Sequence, residues 1–278
     1  MSELPEVCLA AAQAGAQVLR DLYDRPREIH FKGRIDLVTD ADKASEEVVL
    51  RVLAERAPGV PVLAEESGEH GRGPAGAPRA LHPDARFIVD PLDGTTNYAH
   101  GLPLFCCTVA AEENGKAVAG CTVDPMRGEV FRAARGEGAW LNDRRLHVSP
   151  ARALDQALLC TGFPYGDREK LPQMLAAFGR FTELARGTRR LGSAALDLAY
   201  LAAGRLDGFW EIGLKAWDVA AGQVLVEEAG GLVTRFDGSP LLLSGGEIAA
   251  APEGLHAAIL EVLRATSTWE PAPYPSAR

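Results

Sequence analysis

The sequence predicts a mixed α/β fold: helices followed by an antiparallel sheet over residues 1–150, then alternating strands and helices over residues 151–278. Three observations predict it. Leu4, Val7, Cys8, Ala11, Ala14, Val18, Leu19 and Leu22 fall at helical spacing within residues 3–23. Asn114-Gly115 separates two apolar runs, a strong hairpin signal. Beyond residue 150, short apolar runs alternate with longer segments of helical period.

Each element follows from local chemistry. Pro5 is tolerated in the first turn of the first helix. A short basic loop containing Lys32 leads to a second helix over residues 40–57, where Thr39-x-x-Asp42 resembles a capping box with Asp in place of Glu or Gln. Val60 to Ala64 reads as a strand ending at Glu65-Glu66-Ser67, and Arg86-Phe87-Ile88-Val89 as a second strand. Residues 68–83 between them are rich in Gly and Pro and read as a surface loop. Gly71-Arg72-Gly73-Pro74-Ala75-Gly76 there matches G-x-G-x-x-G formally, but no strand leads into it and Pro74 and Pro78 oppose the helix it would need. Leu104 to Glu112, Lys116 to Val123, Glu129 to Ala133 and Ala139 to Val148 form a meander, turning at Met126-Arg127-Gly128 and Asn142-Asp143. In the second half, strands are expected at residues 157–161, 206–211 and 232–236, and helices at 168–185, 193–203, 216–229 and 254–265. The tail from Ser267 holds three prolines and is expected to fray. A boundary near residue 150 divides an N-terminal half (1–150) from a C-terminal half (151–278), which are expected to form one compact unit.

Composition is ordinary for a globular protein, at 47% hydrophobic and 24% charged residues. The formal net charge of −9 argues against nucleic acid or an anionic membrane as partner. Five cysteines, none in a C-x-x-C pair, read as reduced buried thiols of a cytoplasmic protein. The first residues lack the basic start of a signal peptide, and no apolar run approaches the ~20 residues of a membrane span.

Chemistry concentrates in acidic residues at element ends. Asp90-Pro91-Leu92-Asp93-Gly94-Thr95-Thr96-Asn97 closes a strand with two carboxylates, then offers a glycine and two hydroxyls. Carboxylates suit Mg²⁺, and N–H groups at a helix start suit phosphate. Glu65 and Glu66 end another strand, while Asp42 and Asp218 lie in first helical turns. Taken singly, each has a plainer reading: dipole complement, solvated loop or turn. Strand ends and helix starts can nevertheless converge on one sheet rim, and a bound divalent metal would reconcile an acidic site with a phosphate ligand.

Four segments together resemble the inositol monophosphatase family, within the Mg²⁺-dependent, often lithium-sensitive phosphatase superfamily. They are Asp36-Leu37-Val38-Thr39-Asp40-Ala41-Asp42, Ala64-Glu65-Glu66-Ser67, the 90–97 stretch, and Trp217-Asp218-Val219-Ala220-Ala221-Gly222. They stand in the family order, and the resemblance spans roughly residues 5–265. The resemblance implies the sugar-phosphatase fold, an αβαβα sandwich of alternating helical and sheet layers, and commonly a homodimer.

It also implies residue roles. Glu65, Asp90 and the Leu92 carbonyl would hold one Mg²⁺, and Asp90, Asp93 and Asp218 a second, with Glu65 meeting a third, weaker ion through water. Thr95, paired with Asp42, would orient the attacking water beside Glu65, with Glu66 in support. Backbone N–H groups of Gly94 and Thr95 would hold phosphate oxygens. Asp93, Gly192, Ser193, Ala194, Glu211 and Asp218 would meet the alcohol. Lys32 sits where the family has a mobile-loop lysine near the metals. The implied reaction is hydrolysis of a phosphate monoester by metal-activated water, without a phosphoenzyme. The expected substrate is inositol 1-phosphate or a similar small polyol phosphate. Histidinol phosphate, fructose-1,6-bisphosphate and 3′-phosphoadenosine nucleotides are the alternatives among relatives of the fold. A reading from another class, an interaction protein of the transcription machinery, also stands because some bacterial relatives play that part.

Other mechanisms lack their residues. The six histidines form no H-E-x-x-H pair, and Gly192-Ser193-Ala194 is no nucleophile elbow. Substrate choice is expected to depend on Phe163-Pro164-Tyr165, residues 186–194 and Lys215. The apolar stretch Leu102 to Val109 fits either a dimer interface or a buried strand.

Overall fold

The computed structural model describes residues 3–25, 29–31, 37–71, 84–164 and 169–267. In chain order its elements are α1 (Leu4–Leu22), β1 (Ile29–Phe31), β2 (Leu37–Thr39), α2 (Asp40–Arg56), β3 (Val62–Ala64), β4 (Gly68–His70), β5 (Ala85–Asp93), α3 (Thr95–Ala99), β6 (Cys106–Glu113), β7 (Lys116–Asp124), β8 (Glu129–Ala134), β9 (Gly138–Leu141), β10 (Arg144–Arg145), β11 (Leu158–Thr161), α4 (Leu171–Leu184), β12 (Gly187–Arg189), α5 (Ala194–Ala202), β13 (Gly208–Leu214), α6 (Ala216–Glu228), β14 (Gly231–Thr234), β15 (Gly246–Pro252) and α7 (Glu253–Thr266).

Two sheets alternate with three helical layers. An eight-stranded sheet runs in the order β10-β9-β8-β7-β6-β5-β3-β4, and a five-stranded sheet in the order β12-β11-β13-β15-β14. Helices α1 and α2 pack together on the outer face of the larger sheet, α5 and α6 fill the space between the sheets, and α4 and α7 cover the smaller sheet. The αβαβα sandwich is therefore the observed fold.

Apolar spacing explains the layers. The inward stripe of α1, including Leu4, Val7, Cys8, Ala11 and Leu19, is buried as its period predicts. Helix α5 is buried at all nine positions because it has a sheet on each side. The central hydrophobic cluster joins Ile88 and Phe131 of the larger sheet to Leu198, Val219 and Ile248 of the second half. Asn114 and Gly115 both take positive φ (52° and 81°), as their hairpin turn requires.

Several boundaries differ from expectation. The expected Asn142-Asp143 turn separates β9 from β10, but strand pairing ends at Arg145, short of the expected Val148. The fourth helix starts at Leu171. Strand β15 was not expected: its run of three alanines, Ala249 to Ala251, lacks β-branched character, yet the strand lies centrally between β13 and β14. Residues Cys106 to Val109 form part of buried strand β6, whereas Leu102 is 52% exposed. All five cysteines are free and buried, and burial pushes the Cys107 thiol up to about 12. Among the described residues, no helix is long and apolar enough to cross a membrane.

Candidate active site

The site begins where β3 and β5 end side by side. The two strands are parallel, with Ala64 opposite Val89, and the Glu65 N–H donates to the Val89 carbonyl at 3.1 Å. Glu65 and Asp90 therefore leave the sheet as neighbours. Beyond Asp90 the ladder is irregular: Asp90 pairs with Thr108, but Asp93 pairs with Cys106. Three steps on β5 span two on β6, which is a β-bulge. Residues three apart on a regular strand face opposite sides. The extra residue returns Asp93 to the side of Asp90. Pro91, with no N–H to place in a ladder, suits this position.

Asp218 joins from another layer. It sits in the first turn of α6, where its Oδ2 accepts the Lys215 N–H at 2.6 Å. Carboxylate oxygens of Asp90, Asp93 and Asp218 lie within 4.8 Å of one another. Burial, then repulsion from Glu65, Asp93 and Asp218, holds the Asp90 carboxyl well above its usual range. Burial and then Asp93 do the same to Asp218. Clustered buried carboxylates are costly unless compensated. A divalent cation supplies that compensation, and an all-oxygen donor set fits a hard ion of the Mg²⁺ type.

Asp93 has a second attachment. Its Oδ2 accepts from the Ser193 hydroxyl and the Ala195 N–H, both at 2.7 Å. This ties the bulged end of β5 to the first turn of α5. Burial raises the Asp93 pKa, and these hydrogen bonds oppose the rise.

Gly94 follows in a left-handed conformation, φ 96°, and a Cβ there would lie 2.9 Å from the Leu104 carbonyl oxygen. Only glycine meets both conditions. Thr95 opens the short helix α3, and its Oγ1 lies 3.1 Å from Asp42 Oδ1 and 3.0 Å from the Leu92 carbonyl. Asp42 is fully buried in the first turn of α2, and its Oδ2 accepts the Thr39 N–H at 2.8 Å and the Thr39 hydroxyl at 2.6 Å. The capping box read from the sequence is thus present, and the same carboxylate also reaches Thr95.

A cleft of about 420 Å³ collects Glu65, Asp90, Leu92, Asp93, Gly94, Thr95, Gly192, Ser193, Ala194, Glu211 and Asp218. Asp42 stands behind it through Thr95. Phe163, Pro164, Arg190 and Lys215 also line it. Lys32, Asp36 and Tyr165 lie outside the described residues. A larger cavity, about 520 Å³, opens between α1 and the β7–β8 turn. Its one carboxylate, Asp124, is occupied by Arg127 at 2.9 Å and Tyr200 at 3.2 Å, so the reactive cluster belongs to the smaller cleft.

On the far wall, Glu211 packs against Gly162, where a Cβ would fall 2.2 Å from its carboxylate. Burial, then Asp197, Asp218 and Asp93, pushes the Glu211 carboxyl well up.

Four residues were missed by sequence reasoning. Asn97 is buried, and its Nδ2 donates to the carbonyls of Leu104 (2.7 Å) and Leu191 (2.8 Å), fastening the turn before Gly192. Asp197 lines the cleft and is 2% exposed. Ser45 donates to the Pro91 carbonyl at 2.9 Å. Glu46 is 4% exposed; its carboxylate accepts the Glu66 N–H at 3.0 Å and the Ser67 hydroxyl. Ser45 and Glu46 follow Asp42 by three and four positions, the helical spacing that would have placed all three on one face.

The layered fold and its acidic cleft at strand ends define a phosphatase. The inositol monophosphatase family model matches residues 1–268, and the chain belongs to that metal-dependent family. It is 42% identical over 261 residues to an inositol-1-monophosphatase of Synechocystis sp., covering 94% of this chain and 88% of the relative. It is 40% identical over 253 residues to the Nus factor SuhB of Pasteurella multocida, covering 90% and 92%. The solved inositol monophosphatase of Anabaena (Nostoc) sp. superposes with a TM-score of 0.81 at 40% identity, covering 94% and 95%.

Proposed function

We propose that this phosphatase hydrolyses inositol 1-phosphate, or a similar small polyol phosphate, with Mg²⁺ and direct attack of water. The observation that carries the reading is the convergence of Asp90, Asp93 and Asp218 within 4.8 Å, on the cleft that Glu65 also lines. Glu65, Asp90 and the Leu92 carbonyl would hold one ion, and Asp90, Asp93 and Asp218 another. Bound Mg²⁺ would offset the charge of the phosphate dianion, lower the pKa of water and stabilise the leaving alkoxide.

The protein's own groups supply position. The Thr95 hydroxyl donates toward Asp42 or Leu92, which leaves its lone pairs to accept a hydrogen bond from water beside Glu65. Gly94 and Thr95 present phosphate-binding N–H groups. Glu211 and the Gly192–Ala194 segment form the alcohol side of the cleft. Residues 1–150 and 151–278 act as one unit in this reading, because Asp218 completes a cluster begun by β5. We take the enzyme to be a cytoplasmic homodimer.

Phosphate release from inositol 1-phosphate, with and without Mg²⁺, tests the proposal on the wild type and Asp93→Asn. The amide oxygen that this substitution introduces can keep the Ser193 and Ala195 hydrogen bonds. The variant should therefore fold and lose activity by a hundredfold or more, on the order of the loss of one transition-state charge contact. Equal release from both proteins would overturn the mechanism. A parallel panel of histidinol phosphate, fructose-1,6-bisphosphate and 3′-phosphoadenosine nucleotides ranks the alternatives.

Similarity to proteins named Nus factor SuhB favours a second role, contact with the transcription machinery. RNA polymerase captured equally by the wild type and Asp93→Asn would support it, and no capture by either would remove it.

A further inference from the structure

One face of α2 fastens three separate pieces of the cleft. Asp42 holds Thr95, Ser45 holds the Pro91 carbonyl between Asp90 and Asp93, and Glu46 holds the Glu66–Ser67 turn. We propose that Glu46 is a positioning residue that sets the cation affinity of the acidic cluster by fixing the turn that carries Glu65. The inference rests on the reading of that cluster as a cation site.

The turn lies beyond the regular part of the sheet. Glu65 is tied to β5 by its N–H to Val89, but it lies one residue past the end of β3. Glu65, Glu66 and Ser67 form the turn between β3 and β4, closed by the Ala64–Gly68 pair, and Ser67 is exposed. Glu46 reaches them from a buried position, with one carboxylate oxygen for the Glu66 N–H and the other for the Ser67 hydroxyl. The Ser67 oxygen also contacts His70 Nε2, which extends the chain of contacts to β4. A helix is a rigid reference, and a charge-assisted pair of hydrogen bonds at both oxygens fixes direction as well as distance. Loss of these contacts lets the Glu65 carboxylate sample positions away from Asp90. Groups that orient metal ligands in this way typically govern about 10–100-fold in metal affinity.

The test is Mn²⁺ binding to metal-stripped full-length protein, read by electron paramagnetic resonance, with metal-free Tm as control. Glu46→Ala should weaken Mn²⁺ binding about 10–100-fold. Glu46→Gln should stay near the wild type, within about threefold, because its amide oxygen can accept the Glu66 N–H while its NH₂ donates to Ser67. Wild-type affinity in Glu46→Ala would overturn the inference and leave the cation site standing. Equal weakening in both variants would assign the effect to lost charge and overturn the positioning role. A wild type that binds no Mn²⁺ would overturn the cation-site reading itself, and the inference with it. If Glu46→Ala fails to fold, Ser67→Ala removes one arm of the same contact: severalfold weaker binding supports the role, and unchanged binding refutes it.

Discussion

Replacing Asn97 with alanine should loosen the alcohol side of the cleft while leaving the carboxylate cluster in place. Asn97 is 6% exposed and donates to two backbone carbonyls, at 2.7 Å to Leu104 and 2.8 Å to Leu191. Each buried acceptor left without a donor costs about 1–3 kcal/mol. Leu104 and Leu191 are only half-buried, so water can reach part of the gap and the lower end applies. The sum is about 2 kcal/mol, which corresponds to roughly 3–4 °C in Tm for a protein of this size. Thermal unfolding followed by circular dichroism measures the loss. Steady-state kinetics should show a rise in KM that exceeds the fall in kcat, because the Leu191–Gly192 turn is freed but Asp90, Asp93 and Asp218 are not. A Tm within about 1 °C of the wild type, together with an unchanged KM, would refute the assigned role; that shift is below what even one unpaired carbonyl should cost.

Gly162→Ala should displace Glu211, since the added Cβ would sit 2.2 Å from its carboxylate; KM for the polyol phosphate should rise severalfold, with a smaller change in inhibition by inorganic phosphate. In the metal-free protein, Asp90, Asp218 and Glu211 have carboxyl pKa values raised above their unfolded values, which are about 4. Below that pH both states are protonated and the folded state carries no penalty; stability then falls as pH rises through the raised folded values. Mg²⁺ should therefore raise Tm more at pH 8 than near pH 4 by differential scanning calorimetry, and an equal gain at both would contradict the charge assignment.

Much of the fold was legible because its signals are local. The stripe of α1, the Asn114-Gly115 turn and the Thr39–Asp42 cap each act within a few residues. Strand β15 was not legible, because Ala249, Ala250 and Ala251 hold their place by close packing between β13 and β14 rather than by β-propensity. The acidic residues of the cleft stood out through their position at element ends. Their supports did not. Glu46 reads as one of two adjacent glutamates on a helix, and its partners lie twenty and twenty-one residues away. Asn97 bonds across ninety-four residues to Leu191, a pairing that only the packed layers reveal.

The bulge in β5 sets sheet regularity against chemistry. Straightening the bulge with every residue kept, so that Asp93 moved on to face Phe105, would let the strand continue its pairing with β6 without interruption, and by the alternation of side chains would turn Asp93 away from Asp90. The better-paired strand would be the inactive one. An effort to make this protein more robust by idealising its strands would meet, at this one residue, a gain in stability that abolishes the enzyme.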